Sequence, residues 1–172
     1  QENIYDAKKL QIIGRAGVGT DNIDINSATK NGVVVMNVPD GNTISAAEHT
    51  IAMIMSLSRN IHLGHMTLMS GNWDRNKLVG NELRGKTLGV VGLGKIGREV
   101  IKRTLVYDMK ILGYDPFVSQ DSFDEKEVRI VTLDELTELS DYITLHVPLI
   151  KSTKNLFNID RLKMMKSSSR II

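Results

Sequence analysis

Cysteine is missing from all 172 residues, which excludes a disulfide framework, a thiolate metal site and a cysteine nucleophile. The absence also suits a reducing, cytoplasmic setting. Aromatic residues make up only 5% of the chain, and 22 basic against 20 acidic side chains leave a formal charge of +2. With no basic stripe, no block of like charge and no set of rings on which bases could stack, no nucleic-acid partner is expected. Apolar runs are too short to cross a bilayer and no signal-peptide pattern is visible, so no membrane partner is expected either. The chain opens on Gln1 rather than methionine and is expected to be trimmed. Internal repeats and low-complexity segments are absent. The 3 prolines, Pro39, Pro116 and Pro148, each follow a stretch of strand-like sequence. What remains is an ordinary globular composition, long enough to bury a real core.

Glycine carries the strongest signal. Thr87 to Val91 is strand-like and runs into Gly92-Leu93-Gly94-Lys95-Ile96-Gly97, after which a helical pattern extends from Lys95 to Val106. In such a Gly-x-Gly-x-x-Gly turn the first glycine, Gly92, permits the tight exit from the strand. The second, Gly94, lets a pyrophosphate approach the backbone, and the third, Gly97, lets helix and strand pack closely. The N–H groups and dipole of the helix N-terminus complete an anion site. A second strand, Lys110 to Tyr114, ends at Asp115, about twenty residues past the loop, where a ribose-binding acid is usual. Strand, glycines, helix, strand and acid in this order predict a dinucleotide site.

Around this centre the chain alternates. Leu10 to Ile13 is expected as a short strand, followed by a loop from Gly14 to Gly19. A helix capped by Asp24 runs through Lys30 and ends at Gly32, and a buried strand spans Val33 to Val38. A capping box, Ser45-x-x-Glu48, opens a long helix that extends toward Leu68. Ser70 to Trp73 breaks it, and an irregular stretch follows to Arg84. Beyond Pro116, the acidic residues from Asp121 to Glu127 read as the solvated face of a helix. Then come a strand at Arg129 to Val131, a helix from the capping box at Thr132 to about Leu139, a strand from Tyr142 to Val147, a helix from Ile159 to Met165, and the start of a strand at Arg170 to Ile172. The fold class is α/β, a doubly wound parallel sheet with helices on both faces, incomplete here and preceded by a remnant of a second α/β unit.

Several of these stretches together resemble one family. Arg15-Ala16-Gly17-Val18-Gly19-x-Asp21-Asn22-Ile23-Asp24, Asn42-x-x-Ser45-x-Ala47-Glu48-His49, Gly71-x-Trp73, Leu83-x-Gly85-Lys86-Thr87, Gly92 to Gly97, Gly113-Tyr114-Asp115-Pro116 and His146-Val147-Pro148 are similar to the motifs of the D-2-hydroxy-acid dehydrogenases. The resemblance covers essentially the whole chain. It implies a two-domain enzyme, with residues 1–40 the end of a substrate domain and residues 41–172 a truncated cofactor domain of Rossmann type that binds NAD. It further implies oxidation of a small 2-hydroxy acid at its 2-hydroxyl, with 3-phosphoglycerate expected as the acid, and a homodimer or tetramer assembled through the cofactor domain. Another acid of the family (lactate, glycerate or formate) is the first alternative. An NAD(H)-sensing binding protein like the family's corepressors is the second. The family's catalytic arginine, glutamate and histidine would all fall beyond Ile172, so no catalytic residue is assigned and this stretch alone is expected to be inactive.

Site residues follow from the motifs they match. Gly92, Gly94, Lys95, Ile96 and Gly97 are assigned to the pyrophosphate, through backbone N–H groups. The Lys95 ammonium either joins that contact or is simply solvated, and Ile96 doubles as a core residue. Asp115 either accepts from the ribose hydroxyls, which favours NAD over NADP, or is a turn acid before Pro116; its placement favours the first. Val147 and Pro148 are expected to line the adenine pocket. Gly17 and Val18 are expected to face the nicotinamide and to bind the substrate carboxylate through backbone N–H groups. Arg15 reads as a structural ion-pair residue. Asn22, Asp24, Ser45 and Glu48 read as helix caps, and His146 is not the catalytic histidine. His49, His62 and His65 have no metal context. Met53, Met55, Met66 and Met69 read as core or helix-interface residues, and Trp73 as an oligomer contact or a core residue.

Overall fold

The computed structural model describes residues 7–172. A small parallel pair, β1 (Ile12–Gly14) and β2 (Val34–Met36), is linked by α1 (Ile25–Lys30). Asp24 caps α1 as expected, its carboxylate accepting from the Ser27 N–H at 2.8 Å, a contact of about 1 kcal/mol. Gly32, with φ of +68°, turns the chain out of the helix. The strand expected as buried from Val33 to Val38 is shorter and largely open. Val34 and Met36 are 54% and 57% exposed, because among the described residues a helix packs on one side of the pair only, and Val33 with Ala28 fills that side.

The main sheet has five parallel strands in the order β5-β4-β3-β6-β7: β3 (Thr87–Val91), β4 (Lys110–Tyr114), β5 (Val128–Ile130), β6 (Tyr142–Leu145) and β7 (Arg170–Ile171). Central β3 pairs with β4 on one side and β6 on the other, Val90 facing Gly113 and Thr144. Its alternating side chains feed two cores. Leu88 and Val90 pack with Val100, Ile101, Ala47 and Ile54. Val91 packs on the opposite face with Leu112, Ile143, Leu133 and Leu136. The first core is covered by α2 (Thr43–Ser58) and α4 (Lys95–Thr104), the second by α5 (Leu133–Leu139), which packs against α6 (Ile159–Met164). α3 (Ile61–Met69) follows α2 and buries none of its residues. This is the expected doubly wound α/β arrangement, and the strand order reverses between β4 and β6, at the C-terminal end of β3. Ligands of open α/β sheets bind at such a switch point.

Three expectations are corrected. The helix expected to run from Ser45 toward Leu68 is two helices. Asn60 between them takes the left-handed conformation at φ 54° and donates to the Val79 carbonyl. The chain at 79–81 crosses the end of α2, where the Asn81 N–H takes the Ser58 carbonyl at 2.7 Å. That acceptor is then held from outside the helix. The capping box at Ser45 does not form either: α2 begins at Thr43, and the Ser45 hydroxyl donates back to the Asn42 carbonyl. Of the two expected capping boxes, the one at Thr132 forms, the hydroxyl accepting from the Glu135 N–H at 3.1 Å. Third, the acidic stretch from Asp121 to Glu127 is not a helix face. A single 3₁₀ turn, Gln120–Ser122, precedes open turns. Gln120 anchors the stretch by donating to the Val128 carbonyl and accepting from the Ile130 N–H.

Candidate functional site

The Gly92–Gly97 loop leaves β3 at the switch point. Gly92 has φ of +93°, and its N–H donates to the Tyr114 carbonyl at 2.8 Å, so the loop starts from the end of β4 as much as from β3. A Cβ on Gly92 would lie 2.5 Å from the His146 carbonyl oxygen, and one on Gly97 would lie 2.1 Å from the Gly92 carbonyl oxygen. Those two glycines are therefore imposed by packing within the chain. Gly94 differs: a Cβ there would meet nothing within 4 Å. The Gly94 position opens outward, beside the first turn of α4, whose leading N–H groups have no acceptor within the helix. This is the geometry an anionic ligand needs, and the residues present fit a pyrophosphate.

The sequence-predicted residues converge here from three strand ends. Asp115, just past β4, accepts from the Leu93 N–H through Oδ2 and from the Phe117 N–H through Oδ1, both at 2.9 Å. The turn-acid reading holds, and the same side chain also ties down the loop; a carboxylate has about four acceptor sites, so two bonds do not exhaust it. Val147, past β6, is half-buried against the second core, and its Cγ1 would lie 3.0 Å from a Cβ on Gly92; Pro148 beside it is exposed. Ile96 packs against the first core. The Lys95 ammonium is 2.5 Å from Asp40 Oδ1, an ion pair across 55 positions that leaves both side chains largely exposed to solvent.

Gly17 and Val18 sit apart from these residues, in the loop after β1. β2 and the stretch after it pin that loop: the Val38 N–H donates to the Gly17 carbonyl at 3.1 Å and the Asn37 amide to the Val18 carbonyl at 2.9 Å. Among the described residues no hydrogen bond joins Gly17 or Val18 to the Gly92–Gly97 loop. The link runs through the connecting stretch, where Asp40 reaches Lys95. Arg15 makes no ion pair among the described residues. Its Nε–H instead donates to the Gly19 carbonyl at 3.2 Å, folding the side chain over its own loop. His146 is held by burial below its ordinary pKa, and its Nε2 lies 2.9 Å from the buried Thr144 hydroxyl. That neutral, occupied ring fits a structural role.

Two contributors escape sequence reasoning. Arg98 donates from Nε to the Leu93 carbonyl at 3.0 Å, and its guanidinium lies 4.4 Å from the centroid of the Phe123 ring. Asp40 had only its place after Pro39 to mark it.

A parallel sheet reversing at a glycine loop, with an acid at the next strand end, defines a dinucleotide-binding protein of the Rossmann class. Residues 51–172 match the model of the D-isomer specific 2-hydroxyacid dehydrogenase, NAD binding domain, and the chain belongs to this family. Among relatives, it is 48% identical over 171 residues to a D-3-phosphoglycerate dehydrogenase of Archaeoglobus fulgidus, covering 99% of this chain and 32% of that protein. It is likewise 48% identical to one of Synechocystis sp., covering 98% of this chain and 30% of the relative. Among solved structures, the NAD-dependent formate dehydrogenase from Staphylococcus aureus in complex with NAD superposes with a TM-score of 0.89 at 36% identity, over 99% of this chain and 51% of the other. The chain thus spans about a third of the length of the relatives it matches.

Proposed function

We propose that this chain is the NAD-binding part of an NAD-dependent dehydrogenase that oxidises 3-phosphoglycerate at its 2-hydroxyl, a reaction of serine biosynthesis. The observation that carries the substrate is the near-half identity to D-3-phosphoglycerate dehydrogenases over almost the whole chain. In this reading residues 1–40 end a substrate domain and residues 41–172 form the greater part of the cofactor domain. NAD, when bound, supplies the hydride acceptor.

The chain's own residues bind and orient. The N–H groups of Gly94, Lys95 and Ile96 take the pyrophosphate, with Gly92 and Gly97 shaping the turn. The Asp115 carboxylate accepts from the ribose hydroxyls, and Val147 and Pro148 flank the adenine. Gly17 and Val18 present backbone N–H groups toward the nicotinamide side and the substrate carboxylate. By family likeness the acid–base pair and the arginine that orients the substrate lie outside this stretch. The reading includes a cytoplasmic setting, which the metabolic character of the relatives supports. It also includes a homodimer through the cofactor domain, which the apolar exposed side chains of α3 support: Ile61, Leu63, Met66, Leu68 and Met69, with Trp73 beyond them.

The test is a substrate panel on the full-length protein with NAD, following NADH formation. 3-Phosphoglycerate is expected to give the highest kcat/KM among 3-phosphoglycerate, D-lactate, D-glycerate and formate. A clear preference for one of the other acids overturns the substrate. Tight NADH binding with no turnover of any acid moves the protein to the cofactor-sensing class.

A further inference from the structure

The Leu93 peptide group is held from every side. Its side chain is buried, its methyl carbons lying 3.0 and 3.3 Å from where a Cβ on Gly113 would stand. Its N–H goes to Asp115 and its carbonyl to the Nε–H of Arg98. The next peptide bond is trans, as are all those among the described residues. In a trans peptide the carbonyl of one residue and the N–H of the next point in opposite directions. The hand that holds the Leu93 carbonyl therefore decides where the Gly94 N–H points. Arg98 is itself fixed. Its guanidinium stacks on Phe123, which packs against the first core and donates its N–H to the Gln120 carbonyl at 2.9 Å. The acidic stretch after β4 thus has a task at the loop: it carries the ring that sets the Arg98 rotamer.

We propose that Arg98 is a positioning residue for cofactor binding, one that orients the Leu93–Gly94 peptide so that the Gly94 N–H faces the pyrophosphate. The inference rests on reading Gly92–Gly97 as the dinucleotide site. It assigns Arg98 a role through its Nε–H and its stacked plane, not through its charge. A lysine keeps the charge but carries its nitrogen one bond farther out and has no plane to stack. A glutamine has no charge but places an N–H at the same number of bonds from Cα as the arginine Nε. The two substitutions therefore separate the roles.

The experiment uses the full-length protein and calorimetric titration with NAD, ADP and adenosine. Arg98→Met and Arg98→Lys are expected to lose about tenfold or more in affinity for NAD and ADP, the scale of a hydrogen bond to a charged group. Arg98→Gln is expected to recover most of it, and adenosine binding to stay at the parent value in all three. Phe123→Leu, which leaves Arg98 in place without its ring, is expected to weaken NAD and ADP in the same direction by less. Were Arg98→Lys to bind like the parent and Arg98→Gln like Arg98→Met, the contribution would be charge and the proposal wrong. A parallel loss of adenosine affinity would overturn it too, by showing a general loosening of the domain. If the parent protein itself binds neither NAD nor ADP, the reading of the loop fails, and the proposal with it. Should the Arg98 variants not fold, Phe123→Leu decides alone, unchanged NAD and ADP affinity overturning the proposal.

Discussion

At the scale of single residues, Asp115 shows how one side chain can be both a hinge pin and a recognition group. Its two oxygens hold the Leu93 and Phe117 N–H groups, so the carboxylate is placed before any ribose arrives. A fixed negative charge at that strand end disfavours a 2′-phosphate. The full-length protein is expected to prefer NAD over NADP by roughly tenfold or more, given about 1.5–3 kcal/mol for a charge-assisted hydrogen bond. Asp115→Asn keeps one acceptor but no charge, and is expected to narrow that preference while folding nearly as well. Asp115→Ala removes both acceptors and is expected also to lower stability by about 1–3 kcal/mol, since the Leu93 N–H is left without its partner. Calorimetry with both cofactors and urea denaturation read the two effects separately. Equal affinity of the parent for NAD and NADP would remove Asp115 from the recognition role.

At the scale of elements, the far end of the sheet is tied by Asp141. This carboxylate, just before β6, accepts from the Thr87 N–H at the start of β3 at 2.8 Å and from the Lys166 ammonium beyond α6 at 2.9 Å. Burial alone would raise its pKa, but the Thr87 N–H and Lys166 together outweigh burial and hold it below its ordinary value. A depressed carboxylate contributes stability that is full above its unfolded pKa and is lost as pH falls through the folded one. Acid unfolding in the region below about pH 4, the ordinary carboxylate value, is therefore expected to depend on Asp141. Asp141→Asn is expected to flatten the fall in stability between about pH 4 and pH 2. It is also expected to cost about 1–2 kcal/mol at neutral pH, through the lost charge-assisted bonds. Urea midpoints measured across that range check both. An unchanged acid slope would mean other carboxylates carry it. His146 has the opposite chemistry but the same direction. Held neutral by burial, it favours the unfolded state as pH falls below about 6.5, where the unfolded ring takes up a proton.

At the scale of the whole molecule, α3 stands out because it buries nothing while carrying five large apolar side chains, with Trp73 beside it at 77% exposure. Patches of this kind on soluble proteins mark interaction sites. In the proposed homodimer this face meets a second copy. Met66→Glu combined with Trp73→Ala is expected to convert the full-length protein to a smaller species in light scattering at micromolar concentration, with NAD binding retained, because neither residue belongs to the proposed cofactor site. A parent protein that is monomeric, or a double variant with unchanged mass, would place the interface elsewhere.

What the chain's own order of residues determined is what short-range physics decides. The strand from Thr87 to Val91 and the one from Lys110 to Tyr114 were readable residue for residue, because a short apolar run leading into a spaced set of glycines or a strand-end acid is a local signal. The Asp24 and Thr132 caps were readable for the same reason, each partner lying three residues away. The Ser45 box failed because a cap motif two positions inside the helix competes with nothing that needs it. Tertiary structure decided the rest. Asn60 breaks a helix whose periodicity continues unbroken, since the segment that takes the Ser58 carbonyl arrives from residue 81. Lys95 finds Asp40 across 55 positions, and Arg98 finds Phe123 only once β4 and β5 are side by side. Such pairings depend on strand order and register, which place distant residues together. No window of sequence records them, because their energy exists only when the sheet does.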